Sequence, residues 1–256
     1  DFNIDPQKLK QTLDSINRGR PLPGIGTDYR GGKIRAVIPM HYGGYCCDMG
    51  EISDSAAEYG IPIVEDSAHA FPAAYREKAG AEWQKAGTFG AVGCFSFYAN
   101  KCITTGEGGM AVTDDDRLAE RMRRMSLHGM NRDAWRRYLD KNSWYYEIVA
   151  PGYKYNMTDT AAALGIHQLQ RAEEFAEKRR QIADKFSQAF SGYEELQVPP
   201  SDEATRQHSW HLYSLRLNLE RLRIDRAEFI RLLSEKDIGC SVHWLLPLPV
   251  SPEEQW

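Results

Sequence analysis

Gly93-Cys94-Phe95-Ser96-Phe97-Tyr98-Ala99-Asn100-Lys101-Cys102-Ile103-Thr104-Thr105-Gly106-Glu107-Gly108-Gly109 sets one lysine between an apolar strand and a glycine-rich turn. No other charged residue lies between Gly93 and Glu107. Loss of water around an amine disfavours its charged form and lowers its pKa toward neutrality, where it acts as a nucleophile. Such a lysine can form a Schiff base with an aldehyde. Taken alone, the pattern fits equally a lysine that snorkels its ammonium from a sheet edge into water.

Working outward, Ile61-Pro62-Ile63-Val64 is a short apolar run that ends abruptly in Glu65-Asp66-Ser67-Ala68-His69-Ala70. It reads as a buried strand ending in acid. The carboxyl ends of strands in open α/β sheets face the ligand crevice, which puts Asp66 where a cofactor would lie. An isolated lysine and a strand-end aspartate together point to pyridoxal phosphate. The lysine would hold the aldehyde carbon, and the aspartate would pair with the protonated ring nitrogen. The bland alternative for Asp66 is an N-cap for the turn that follows.

Around this pair the pattern predicts an α/β fold. A helix is expected over Ile4–Ile16 and a strand over Ile34–Pro39. A second helix is expected from an N-cap at Asp48 to about Tyr59, with Gly60 as its stop, before the strand that ends at Asp66. Strand, helix, strand is the crossover of a parallel sheet. A strand is expected at Gly109–Thr113, followed by an arginine-rich helix opening at Asp114-Asp115-Asp116 and reaching about His128. Arg76–Phe89 reads as a surface insertion. One long helix is expected from Thr158 toward Phe190. His211–Leu217 and Gly239–His243 are expected as strands flanking a helix from Asp225 to Lys236, the makings of a small α+β domain. The predicted division is 1–180 and 181–256.

The chain has 256 residues, enough for one large domain and a small one. A net charge of −4 with no basic stripe argues against nucleic acid as the main partner. No apolar run approaches the roughly 20 residues that span a bilayer, and the polar start lacks a signal-peptide pattern, so a cytoplasmic protein without membrane segments is expected. The five cysteines are odd in number and lie mostly in or beside apolar runs, as reduced buried thiols do. Adjacent Cys46 and Cys47 lack metal-ligand spacing, and no metal is expected.

Four ordered motifs carry a family likeness: Glu65-Asp66-Ser67-Ala68-His69-Ala70; Phe95-Ser96-Phe97 with Lys101; Ile103-Thr104-Thr105-Gly106-Glu107-Gly108-Gly109; and Gly152-Tyr153-Lys154-Tyr155-Asn156-Met157-Thr158-Asp159. With them the chain resembles the DegT/DnrJ/EryC1 family of pyridoxal-phosphate sugar aminotransferases. The stretches His128–Trp135 and Ser143–Glu147 resemble the branch that aminates UDP-linked 4-keto sugars. The resemblance implies a type I PLP-transferase fold, a mostly parallel sheet between helices, and transfer of an amino group from glutamate to the keto group of a nucleotide sugar. By position it makes Lys101 the Schiff-base lysine and proton carrier, and Asp66 the partner of the ring nitrogen. It places His69 near the phenolic oxygen and Ser96 at the phosphate. Asn156 would reach the phosphate of a neighbouring subunit in a homodimer. Family members carry a further stretch ahead of this segment, with a phosphate-cradling helix start and a ring-stacking aromatic, so the chain reads as a fragment shortened at both ends.

Each assignment has a plainer rival. His69 alone reads as a hydrogen-bonded core histidine. Ser96 alternates with Phe95 and Phe97, which puts its hydroxyl opposite two rings and suits a polar task. Asn156 or Asp159 could belong to the cap of the helix beginning near Thr158. The Trp and Tyr residues from Trp135 to Tyr155 read either as a packing surface or as a sugar platform. Gly106–Gly109 is not a nucleotide-hydrolase phosphate loop, because it leads into a strand and lacks the following Lys-Ser or Lys-Thr. Two other functions stay open: a sugar dehydratase, which replaces the lysine with histidine and so conflicts with Lys101, and a non-catalytic homologue of the same fold.

Overall fold

Asp5 starts the first helix, α1 (Pro6–Asn17), by accepting the backbone N–H groups of Gln7 and Lys8 at 2.9 and 3.1 Å, while Pro6 sits where no N–H is needed. Leu9 and Leu13, four residues apart, form its buried stripe and pack α1 against α2 (Met49–Glu58). Gly60, at φ 62°, ends α2 as expected. Asp48 precedes α2 but makes no capping bond; its carboxylate accepts from the Tyr75 hydroxyl at 2.9 Å and meets Arg206 at 3.4 Å. The computed structural model describes residues 1–20, 33–130 and 147–242.

The parallel crossover is present, but its first limb is not the strand expected over 34–39: only isolated bridges form there, at Val37 and Met40. Residues 37–41 run parallel to β1 (Val64–Asp66) and exchange bonds with it in alternation. Val37 N donates to Pro62 O and Val64 N to Val37 O, then Asp66 N donates to Pro39 O and His41 N to Asp66 O, at 2.9 to 3.1 Å. On its other side β1 pairs in parallel with β4 (Val92–Ser96), Asp66 opposite Cys94, and β4 pairs antiparallel with β5 (Gly109–Val112). The main core lies beside this ladder, where Met49 and Ile52 of α2 are fully buried with Leu13, Val37, Cys46, Cys47 and Ile63.

The Arg76–Phe89 stretch is only half a surface insertion. Glu77–Gly80 is exposed, and Gln84–Lys85 forms β3, paired with β2 (Ala74–Tyr75). The return limb then dives inward: Ala86 is buried, and the Phe89 ring meets Tyr75 edge-on at 5.7 Å. It passes so close to β4 that a Cβ on Gly93 would lie 2.0 Å from Gly87 O, so glycine is required there.

Asp115 caps α3 (Asp116–Ser126) through Arg117 N and Leu118 N. The helix expected to run from Thr158 to Phe190 is two, α4 (Asp159–Gln170) and α5 (Ala172–Phe190), broken at Arg171 with φ −104° and ψ 4°. Each grips the loop after Lys101: the Gln168 side-chain oxygen accepts Thr104 N at 3.2 Å, and Arg179 donates to Cys102 O at 3.0 Å. α5 runs through position 180, and β7 (Arg206–Gln207) joins the sheet of β2.

Only Arg216–Leu217 of the expected 211–217 strand is one, β8, paired with β6 (Leu196–Gln197). The preceding residues turn aside instead: Ser209 N and Leu212 N donate to Gly44 O and Gly43 O, both at 3.1 Å. Asp225 caps α6 (Arg226–Ser234). Residues 239–242 form no strand; His243 and the aromatic run 135–146 lie outside the described residues.

Candidate active site

Because β1 and β4 run in parallel, both finish at the same edge of the sheet, where Asp66 closes one and Ser96 the other. Beyond Ser96 the chain folds back on itself. Lys101 N donates to Tyr98 O at 3.0 Å, Thr105 N to Phe97 O at 2.9 Å and Phe97 N to Gly108 O at 2.8 Å, a knot that holds Lys101 beside the ends of both strands. Thr105 fastens the glycine turn by donating its hydroxyl to Glu107 O at 2.6 Å.

Lys101 is half-buried, and its pKa is lowered: loss of water drives it down, while the charge of Asp66 and the neighbouring Cys102 oppose it. Among the described residues its Nζ has no hydrogen-bond or salt-bridge partner. Asp66 accepts Ala68 N at 3.0 Å on Oδ1, a local turn rather than a helix cap, and its Oδ2 takes no hydrogen bond among the described residues. A desolvated amine under the charge of a carboxylate with an available oxygen is the pair of groups that an aldehyde-bearing, protonated heterocycle needs, so these residues fit pyridoxal phosphate.

His69 follows Asp66 in the buried bend after β1. Its Nδ1 accepts Gly43 N at 3.3 Å, and its ring lies 4.4 Å from that of His211 and 6.2 Å from that of Tyr42. Its carbonyl accepts the Ser209 hydroxyl at 2.7 Å. Ser96 is half-buried and accepts Tyr98 N at 3.3 Å. Asn156 stands apart. It is exposed, accepts from Lys154 and donates to Met157 O, touching none of the other four. The cap of α4 belongs to Thr158, whose hydroxyl accepts Ala161 N at 3.3 Å, which removes the capping alternative for Asn156 and Asp159.

The family model described as the DegT/DnrJ/EryC1/StrS aminotransferase family matches residues 1–253. The chain belongs to this family. It is 46% identical over 220 residues to an uncharacterised protein of Methanocaldococcus jannaschii, covering 86% of this chain and 55% of that one. It is 39% identical over 255 residues to the spore coat polysaccharide biosynthesis protein SpsC of Bacillus subtilis, covering 99% of this chain and 59% of SpsC. A Streptococcus pneumoniae protein described as a sugar aminotransferase, solved in its PLP form, superposes with a TM-score of 0.76 at 28% identity over 99% of this chain and 61% of its own. The chain thus spans somewhat over half the length of the curated relatives it matches. Its fold is that of the type I PLP-dependent aminotransferases.

Two features of this aminotransferase-family chain escaped the sequence. A cavity of about 500 Å³ among the described residues does not open on Lys101; it is lined by Tyr45, Trp83, Arg206, His208 and Trp210 with acidic residues of α5 and the 201–203 turn. The other is Glu65, fully buried beside Asp66 and bound to His41. Its signal was present, since a second acid on an otherwise apolar strand must find donors. His41 lies 24 positions away and nothing local named it as the partner.

Proposed function

We propose that the chain carries the Schiff-base lysine of a pyridoxal-phosphate-dependent aminotransferase that places an amino group from glutamate on the keto carbon of a nucleotide-linked sugar, of the UDP-4-keto type. The observation that carries this reading is Lys101: an amine with lowered pKa, without a partner among the described residues, under the influence of Asp66 at the shared end of β1 and β4. The cofactor, when bound, supplies an electron sink for moving the amino group.

The chain's own residues would act as follows. Lys101 anchors the aldehyde carbon and, once released, carries the proton to and from the reacting carbon. Asp66 keeps the ring nitrogen protonated. His69, held by Gly43 N, orients the phenolic oxygen side, and Ser96 donates to the phosphate. Asn156 reaches across a homodimer to the phosphate of the neighbouring site, a role its exposure allows. The likeness to SpsC supports a role in cell-envelope polysaccharide or secondary-metabolite sugar biosynthesis. No helix of the described residues is long and apolar enough to cross a membrane, and a cytoplasmic location, with domains 1–180 and 181–256, completes the proposal.

Mixing the protein with pyridoxal phosphate should produce an absorbance band at the edge of the visible range. Borohydride should then fix the cofactor's mass on Lys101, and Lys101→Ala should abolish both. A band that survives Lys101→Ala, or a protein that stays colourless, would overturn the reading and favour a non-catalytic homologue.

A further inference from the structure

Glu65 has no exposed surface, yet four donors converge on its carboxylate. Oε2 accepts from His41 Nε2 at 3.0 Å and Gly87 N at 2.7 Å, and Oε1 accepts from Phe89 N and Gly90 N, each at 2.6 Å. Burial pushes its pKa up, but the His41 ring and the Gly90 and Gly87 amides outweigh burial and leave the pKa below its ordinary value. His41 Nδ1 accepts Cys47 N at 3.1 Å, so the proton sits on Nε2 and a neutral ring donates to the anion.

Every one of these donors belongs to a segment that abuts Asp66. The backbone N–H of His41 holds the Asp66 carbonyl at 3.1 Å, so His41 grips β1 through main chain and ring together. Gly87–Gly90 leads directly into β4, where Cys94 stands opposite Asp66 and its carbonyl accepts Ser67 N at 2.8 Å. Neighbouring strand residues point to opposite faces, so Glu65 cannot touch a group held by Asp66. An anion this deep is costly unless fully hydrogen-bonded, and an apolar residue would fill the space at the expense of orphaning three amides and an imidazole.

We infer that Glu65, with His41, is a positioning pair for the active site: a buried anion that ties together the two chain segments flanking β1 and so fixes the Asp66 carboxylate relative to Lys101. This rests on the pyridoxal-phosphate reading above.

The test compares Glu65→Gln and Glu65→Asp with Leu13→Ala, a cavity in α1 away from the ladder, in the intact chain. Without cofactor, amide exchange at Gly87, Phe89 and Gly90 should accelerate in Glu65→Gln and stay slow in Leu13→Ala. With pyridoxal phosphate, a displaced Asp66 lets the ring nitrogen lose its proton, which removes a positive charge near the lysine nitrogen. The pH midpoint of the visible band should therefore rise, by about one unit, in Glu65→Gln. Cofactor affinity should fall about tenfold, as when the outer partner of a ligand is lost. Glu65→Asp should recover part of both effects, while Leu13→Ala should lower the melting temperature and leave the midpoint in place. Should Glu65→Gln not fold, His41→Gln carries the same comparison. A Glu65→Gln band that titrates as in the wild type, despite a lowered melting temperature, would overturn the positioning role. A wild-type chain that forms no band would overturn the proposed cofactor site itself, a different result.

Discussion

Residues 34–96 and residues 159–238 are built on different terms. In the first, α2 and β1 bury Met49, Ile52 and Glu65 completely, and the buried charge is answered by four donors. In the second, α4 and α6 bury no residue and α5 buries only Ala172 and Ala183, while Leu164, Ile166 and Leu169 of α4 are 45%, 63% and 56% exposed. The second region holds to the first through β7, which pairs with β2, through Arg206, which reaches Asp48 and the Cys46 carbonyl, and through Ser209 and Leu212, which bind the Gly43–Gly44 turn; Gln168 and Arg179 hold the Thr104 amide and the Cys102 carbonyl in the loop that follows Lys101. Stability of the described chain therefore resides around Asp66, and the later helices serve to hold the Lys101 loop and the His69 bend.

The sharpest way to break this contrast is to open the first region. Ile52→Ala removes a fully buried side chain and should lower unfolding free energy by about 2–5 kcal/mol in urea denaturation, since a packed site collapses poorly around a cavity. A loss below about 1 kcal/mol would mean that α2 is not the packed centre.

Next comes the seam between the regions, where His208 stacks on Trp210 at 3.9 Å and lies 5.6 Å from the Tyr45 ring. Burial lowers its pKa to about 3, with a hydrogen bond to Gly44 working weakly the other way. A folded pKa below the ordinary 6.5 means that the unfolded chain binds more protons between those values, so this group's contribution to stability is present above pH 6.5 and is lost as pH falls toward about 3. His208→Gln should therefore show a smaller drop in urea midpoint between pH 7 and pH 5 than the wild type. Equal drops would place the ring in water.

The smallest effect is expected in the second region. Ile166→Ser alters a residue with little to lose and should change stability by no more than about 0.5 kcal/mol. A loss several times larger would show that this face of α4 is covered in solution, and the contrast would then belong to the isolated chain alone.

The helices with periodic stripes were readable because their signals are local. Leu9 and Leu13 mark the buried face of α1, and the caps Asp115 and Asp225 announce α3 and α6. The 211–217 strand failed because alternation in a short run does not say what the backbone pairs with; Ser209 and Leu212 found carbonyls about 165 residues away in sequence, at Gly44 and Gly43. The break at Arg171 was hidden because apolar spacing continues through it. In the candidate site, residue type and position singled out Lys101 and Asp66. Thr158 was overlooked as the cap of α4 because Asn156 and Asp159 are chemically as suited, and only backbone geometry chooses among them.

The family, the parallel crossover and the candidacy of Lys101 and Asp66 were legible along the chain, because each motif, each strand or helix signal and each of the two residues is marked by its own short run of sequence. Tertiary structure alone decided which of two adjacent acids faces inward. Glu65 became the buried anchor and Asp66 the partly exposed one, because strand parity sends them to opposite faces and the donors that make burial of a carboxylate tolerable arrive from segments more than 20 residues away on either side.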